Sequence, residues 1–299
     1  MRLSCLGSTN TLLCQIGALR EGFAALGHEH TPNYADANTA FVFVGNSPYD
    51  SYLPITRAKK VIFNVLDCPT WVPDWPAIRD SFRANLPQAS RVTCISKTVQ
   101  HDLRNLCGVK AEVIYYPMKP VRFTGGKRYP QFKAAMVGRL CDPGKRAALG
   151  IQALIRAGYN ETEVAMVGPE YPGWGSNLGV VSDEALTDLF NSVDYVLMTS
   201  RHEGIGLPAI EAACCGAIPI VLPDLSTYNE FWAESPLGLQ YQQLTSSDDI
   251  AKLLISLNGD AAWKAAAKRD ILAYAETRFR PLSDRIEVAK RILSVYQNL

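Results

Sequence analysis

A chain of 299 residues with 47% hydrophobic and 20% charged residues has material for one large or two medium cores, and its composition excludes disorder and collagen-like repetition. The formal charge of +1 hides an asymmetry: residues 1–130 hold 15 Lys/Arg against 9 Asp/Glu, a net +6, and the remainder 15 against 20, a net −5. The basic front half suits either an anionic partner or plain solvated lysines.

In chain order, "MRLSCLG" reads as a strand and "NTLLCQIGALREGFAALG" as a helix with leucines at helical spacing. "TAFVFVGN" and "KKVIFNVLD" read as strands, followed by the strand "SRVTCIS", the helix "KTVQHDLRNLCG" and the strand "AEVIYYP". Such alternation predicts a parallel sheet covered on both faces. The stretch "YPMKPVRFTGGKRYP", 116–130, combines three prolines, a Gly-Gly pair and basic residues without hydrophobic period, and reads as an interdomain linker. Beyond it the alternation restarts with strands "KAAMVGR", "EVAMVGP", "DYVLMTS" and "IPIVLPD" separated by helices "RAALGIQALIRAG", "SDEALTDLFNS" and "PAIEAACCG". The tail from 248 onward is helical nearly throughout, interrupted at Arg280-Pro281. The expected fold class is therefore α/β, with two tandem doubly wound Rossmann-like domains over 1–122 and 131–280 and a terminal helix over 281–299. Ligands of open α/β sheets bind beyond the carboxyl ends of strands, so the two domains are expected to face each other across a cleft.

The most informative stretch is "SRHEGIGLPAIEAACCG", Ser200 to Gly216, directly after the strand "DYVLMTS". Pro208 suits the first turn of a helix that Gly216 would stop. Glu203 then lies in the strand-to-helix loop and Glu211 about one turn into the helix. Gly204 and Gly206 let the backbone bend tightly, so that the amides of Gly204, Ile205, Gly206 and Leu207 can approach a ligand. A helix N-terminus with exposed amides is an anion site, diphosphate being a common guest. Glutamates beside an anion make sense as acceptors for hydroxyls, which sugars and riboses supply in vicinal pairs. The combination describes a nucleotide sugar. Plain readings also exist: dipole compensation for Glu211 and a solvated loop charge for Glu203.

"GIGLPA" also satisfies the loose dinucleotide fingerprint, with Asp224 near the distance of a ribose-binding acid. Against it, "RHE" separates the glycines from their strand, and the turn follows a late strand. In "MVGRLCDPGK", Arg139 directly follows the first strand of the second half and Lys145 lies in the next loop, both at the same sheet edge as the glycine turn. Two cations there suit a departing diphosphate. Asn64 and Asp67, at the end of "VIFNVLD", are candidates for acceptor contact, Asp67 alternatively capping its loop before Pro69.

The eight cysteines show no C-x-x-C pair and no zinc-type spacing, so they read as small hydrophobes in a reducing compartment. His28 and His30 have no companion ligands, and His101 and His202 are isolated; no metal site is expected. The apolar runs near the N-terminus are too short for a bilayer span and lack a signal-peptide layout, so a cytoplasmic location without a transmembrane segment is expected.

The segments "VGRL…K", "VGP" and "GVVSDEALTDLFNSVDYVLMTSRHEGIGLPAIEAACCGAIPIV" resemble the glycosyl transferases group 1 (family 4), retaining and metal-independent enzymes of GT-B fold. The likeness is dense from Val137 to Glu230 and diffuse elsewhere, in "LREGFAALGHE" and "VTCISKTVQHDL". It implies that Arg139 and Lys145 bind the donor diphosphate with the amides of 204–207, that Glu203 holds hydroxyls of the transferred sugar, and that Glu211 holds the ribose. Gly138 and Gly168 would line the donor, Val180 and Val181 would lie against the base, and the helix from Pro281 onward would return to the first domain. The implied co-substrate is a UDP- or GDP-sugar, with no further cofactor. Departures fall in the first half. "GSTN" stands in place of the family's Gly-Gly loop, leaving Gly7, Ser8 and Thr9 as acceptor-side candidates. Leu66, which cannot donate a hydrogen bond, stands where the family has histidine before Asp67.

The expected function is retaining transfer of a hexose or similar sugar to a hydroxyl acceptor, with an anionic lipid surface, a cell-wall glycan and hydroxymethylated DNA all open. Alternatives are a sugar-nucleotide epimerase or phosphorylase on the same fold, a dinucleotide-dependent oxidoreductase, and a non-catalytic nucleotide-sugar binding module.

Overall fold

The computed structural model describes residues 2–6, 10–31, 39–44, 60–68, 70, 72–115 and 129–297. Gly7, Ser8 and Thr9 lie outside the described residues, as does most of the expected linker, 116–128. The chain divides into two compact units, Met1–Lys119 with Leu282–Leu299, and Pro120–Pro281.

The first unit runs β1 (Arg2–Leu6), α1 (Asn10–Ala25), β2 (Glu29–His30), β3 (Thr39–Val44), β4 (Lys60–Val65), α2 (Trp75–Asn85), β5 (Arg91–Cys94), α3 (Lys97–Asp102) and β6 (Glu112–Val113). Its parallel sheet has the order β2-β1-β3-β4-β5-β6, so the direction of winding reverses between β1 and β3. In β4, Val61, Ile62, Phe63 and Val65 are all buried, as expected of a parallel strand covered on both faces. The Ser96 hydroxyl caps α3 by accepting from the Val99 amide at 3.2 Å.

The second unit runs β7 (Ala134–Val137), α4 (Ala147–Arg156), β8 (Val164–Val167), β9 (Ser176–Gly179), α5 (Asp183–Ser192), β10 (Tyr195–Met198), α6 (Leu207–Cys214) and β11 (Ile218–Val221). It continues as α7 (Tyr228–Phe231), α8 (Gly238–Tyr241), α9 (Ser247–Gly259) and α10 (Ala261–Arg278). The parallel sheet has the order β11-β10-β7-β8-β9. Ala134 of β7 faces Tyr195 of β10 on one side and Val164 of β8 on the other. Chain leaving β7 winds one way to β8 and β9, and chain leaving β10 winds the other way to β11. The loops after β7 and β10 therefore flank the topological switch point, where such sheets open a crevice.

One face of this sheet buries Ala135, Ala165, Val167 and Val196 against Leu189 and Phe190 of α5 and Ala212 of α6. The tail breaks once more than the sequence pattern suggests. Asp260 accepts from the Trp263 amide at 2.9 Å, ending α9 and capping α10. After α10, Phe279 packs its ring 5.5 to 6.0 Å from Phe231, Trp232 and Tyr274. The last helix, α11 (Arg285–Gln297), belongs to the first unit and lies along α1, where Arg285 pairs with Glu21. No helix among the described residues is long and apolar enough to cross a membrane.

Candidate functional site

The loop after β7 begins with Gly138 and Arg139 and closes in a short turn over Pro143–Lys145. Asp142 shapes that turn: its Oδ1 accepts from the Gly144 amide at 2.8 Å, and its Oδ2 lies 3.3 Å from the Arg139 guanidinium. Arg139 remains 53% exposed. At Gly138 the φ of +139° favours glycine, while a Cβ there would only touch Lys145 Cε at 4.0 Å, an ordinary contact. At Gly168, after β8, a Cβ would fall 1.9 Å from the Gly138 carbonyl oxygen, and φ is +155°. Glycine there allows the β7 and β8 loops to touch through their backbones.

The loop after β10 carries Glu203 and turns into α6 at Gly206, whose left-handed φ of 79° precedes Leu207 and Pro208. The amides of Gly204, Ile205, Gly206 and Leu207 donate to no acceptor among the described residues, so the start of α6 carries unpaired donors suited to an anion, with Gly204, Ile205 and Gly206 themselves buried. Gly216, with φ of 79°, follows the end of the helix as the sequence suggests. Ser226, from the loop after β11, holds this turn by accepting from the Glu203 amide at 3.0 Å and donating to the Glu203 carbonyl at 3.1 Å. Glu211 lies inside α6 and is buried, 8% exposed.

Lys145 Nζ and Glu203 Oε1 meet at 2.5 Å, joining the two loops. The next residue, Arg146, is the single non-glycine among the described residues with a positive φ, at φ 49° and ψ 40°. That conformation costs an L-residue about 1–2 kcal/mol. Its guanidinium donates through Nε to the Thr199 carbonyl at 2.7 Å and through Nη1 and Nη2 to both carboxylate oxygens of Asp224, each at 2.7 Å. The Arg146 bonds hold the Asp224 carboxyl below its ordinary range against the opposing pull of burial. Nearby, burial and then the charges of Arg201 and Arg146 push the His202 imidazole below its usual pKa.

Sequence reasoning passed over Arg146, Thr199 and Ser226 and left Asp224 to a dinucleotide fingerprint. The structure instead gives both Asp224 oxygens to a guanidinium. Val180 is 76% exposed just after β9, whereas Val181 packs on the core. In the first unit, Asn64, expected at a strand end as an acceptor-side candidate, is the penultimate residue of β4. Its side chain is buried, 4% exposed, and its backbone pairs with β3 and β5 on either side. Asp67 accepts from the Cys68 amide at 2.8 Å, a local loop bond. Burial raises the thiols of Cys107 and Cys214, to about 11 and about 12, so they stay protonated. Among the described residues no group of three or more His, Cys, Asp or Glu is placed to hold a metal ion.

No protein-family model matches the chain. A segment of 104 residues, 35% of the chain, is 32% identical to O-antigen chain mannosyltransferase B of Escherichia coli, and it spans 26% of that protein's length. Among solved structures, sucrose-phosphate synthase from Thermosynechococcus elongatus gives a TM-score of 0.72 at 13% identity, over 100% of this chain and 98% of that one. WaaG, a glycosyltransferase involved in lipopolysaccharide biosynthesis, gives 0.69 at 12% identity, over 98% and 99%. A glycosyltransferase from Rickettsia africae gives 0.65 at 13% identity, over 99% and 97%. The fold is that of the GT-B glycosyltransferases.

Proposed function

We propose that this chain, with its GT-B fold, is a retaining, metal-independent glycosyltransferase that moves a hexose from a UDP- or GDP-sugar to a hydroxyl acceptor. The observation that carries this reading is the assembly at the β7/β10 switch point. There a lysine–glutamate pair, an exposed arginine on one of the two loops and a set of unpaired helix-start amides occur together. The amides and cations suit a diphosphate, and the carboxylates suit hydroxyls on either side of it.

In this reading the bond between the anomeric carbon and the diphosphate oxygen breaks, and its electron pair leaves with the diphosphate. Lys145 and Arg139 offset the charge that develops there, the form of catalysis in which preset charges meet the transition state. Glu203 accepts from hydroxyls of the transferred sugar, Glu211 from the ribose, and Val180 covers the base. The acceptor hydroxyl attacks from the face the diphosphate leaves and gives its proton to the departing phosphate oxygen, so no enzymic nucleophile is required.

Mannose donors are the first to test, in view of the mannosyltransferase match. Hydroxymethylated DNA, an anionic lipid surface and a cell-wall glycan are the acceptor classes consistent with the basic front half. Steep loss of activity with added salt would favour a polyanion. The experiment is a matrix of nucleotide-sugar donors against these acceptors, read as nucleotide diphosphate release. Release from one donor that depends on one acceptor class supports the reading. No release from any donor, with reduction of a bound nicotinamide instead, would replace it with an oxidoreductase. The engagement of Asp224 by Arg146 argues against that second reading.

A further inference from the structure

We propose that Arg146 is a positioning residue for Lys145: its forked bond to Asp224 and its bond to the Thr199 carbonyl hold the backbone beside Lys145 so that the ammonium reaches Glu203. The inference rests on reading Lys145 as the cation that faces the leaving diphosphate. Position 146 adopts a backbone conformation that glycine takes freely, yet the chain spends an arginine on it. An arginine in that conformation persists when its side chain is engaged, and all three anchoring bonds measure 2.7 Å.

The bonds around it form a lattice across three loops. Thr199 accepts the Arg146 Nε at its carbonyl and donates its own hydroxyl to the Lys145 carbonyl at 2.8 Å. The Gly144 carbonyl, on the other side of Lys145, accepts from the Arg201 amide at 3.0 Å. Thus the peptide groups before and after Lys145 are both fastened to the end of β10. Asp224 ties the same lattice to the loop after β11, whose Ser226 accepts from the Glu203 amide and donates from its own amide to the Arg201 carbonyl at 2.9 Å. Both partners of the Lys145–Glu203 pair are therefore placed by one connected set of bonds, in which the Arg146–Asp224 fork is the tie between the β7 and β11 loops. A lysine cannot replace it, because a single ammonium cannot bond both carboxylate oxygens and the Thr199 carbonyl in the planar geometry of a guanidinium.

Arg146→Gly tests this, since it keeps the backbone conformation without strain and removes only the tether. The first measurement is a Lys145→Met and Glu203→Gln double-mutant cycle by denaturant unfolding, in the native and the Arg146→Gly backgrounds. The expected coupling is roughly fivefold or more in the unfolding constant in the native background, and close to none in the variant. The second is donor kinetics, where Arg146→Gly and Arg146→Lys are both expected to lower kcat by about tenfold or more, because a preset charge has lost its place. Asp224→Asn, which leaves the backbone untouched, should reproduce most of that loss. Coupling that persists in the Arg146→Gly background, coupling absent from the native protein, or unchanged kcat in all three variants would overturn the proposal. If Lys145→Met proves kinetically silent, the functional reading falls, while the coupling measurement still decides whether Arg146 holds Lys145 in place.

Discussion

Lys145 Nζ lies 2.5 Å from Glu203 Oε1, an ion pair between residues 58 positions apart whose side chains are only 19% and 14% exposed. A pair so placed stands at the junction of two loops, and in the proposed function it also faces the donor. Lys145→Ala should lower turnover by orders of magnitude with the fold preserved. Its stability cost should be about 1–3 kcal/mol, because Glu203 loses a charged partner in a half-buried place. Steady-state kinetics beside a denaturant titration check both halves; unchanged turnover would remove Lys145 from the mechanism.

Two glycines should answer differently to the same substitution. In Gly168→Ala the new methyl carbon would fall on the Gly138 carbonyl oxygen, backbone against backbone, so the β7 and β8 loops must separate. We expect a loss of about 3 kcal/mol or more. At Gly206 the nearest atoms are Glu203 Cβ and Cγ at 3.8 Å, which leaves only the strain of a left-handed alanine, about 1 kcal/mol. Denaturation midpoints of the two variants should therefore fall in that order.

Asp194, just before β10, carries a pH prediction. Burial pushes its carboxyl up, but Lys268 at 2.7 Å and Lys264 at 3.1 Å outweigh burial and leave it below its ordinary range. A carboxyl lowered in the folded state contributes stability above its unfolded pKa, about 4, and loses it as the pH falls through the lower folded value. Thermal unfolding of Asp194→Asn should show a lower Tm at neutral pH and a flatter decline between roughly pH 5 and 3 than the native protein.

Val180 offers a test of the base contact without a stability penalty. Its side chain is 76% exposed, so Val180→Asp should leave Tm within about a degree while weakening nucleoside diphosphate binding by about tenfold. An unchanged affinity would move the base elsewhere.

The strands were legible because buried parallel strands are continuous apolar runs, as in "VIFNV" and "IPIV". The turn into α6 was legible because Gly206, Pro208 and Gly216 each mark a particular backbone state. Helix α2 escaped the pattern reading although Pro76 in its first turn and the buried Ile78 and Phe82 one turn apart would have marked it. Strand β9, "SNLG", carries no β-branched residue and is a strand through its neighbour β8 alone. The Arg146–Asp224 fork was illegible for a different reason: its partners are 78 positions apart, and nothing local distinguishes Arg146 from a second surface cation after Lys145. Asn64 reads as a strand-end residue, and it is one, but its 4% exposure is set by tertiary packing that no local pattern shows.

In the proposed function, the loops after β7 and β10 bind a nucleoside diphosphate through Lys145. Calorimetric titration of UDP and of GDP into the native protein and into folded Lys145→Ala tests it most directly. Saturable binding of one nucleotide to the native protein, weakened by about tenfold or more in the variant, is the predicted result. Equal affinity in both proteins, or binding of neither nucleotide to the native protein, would contradict it.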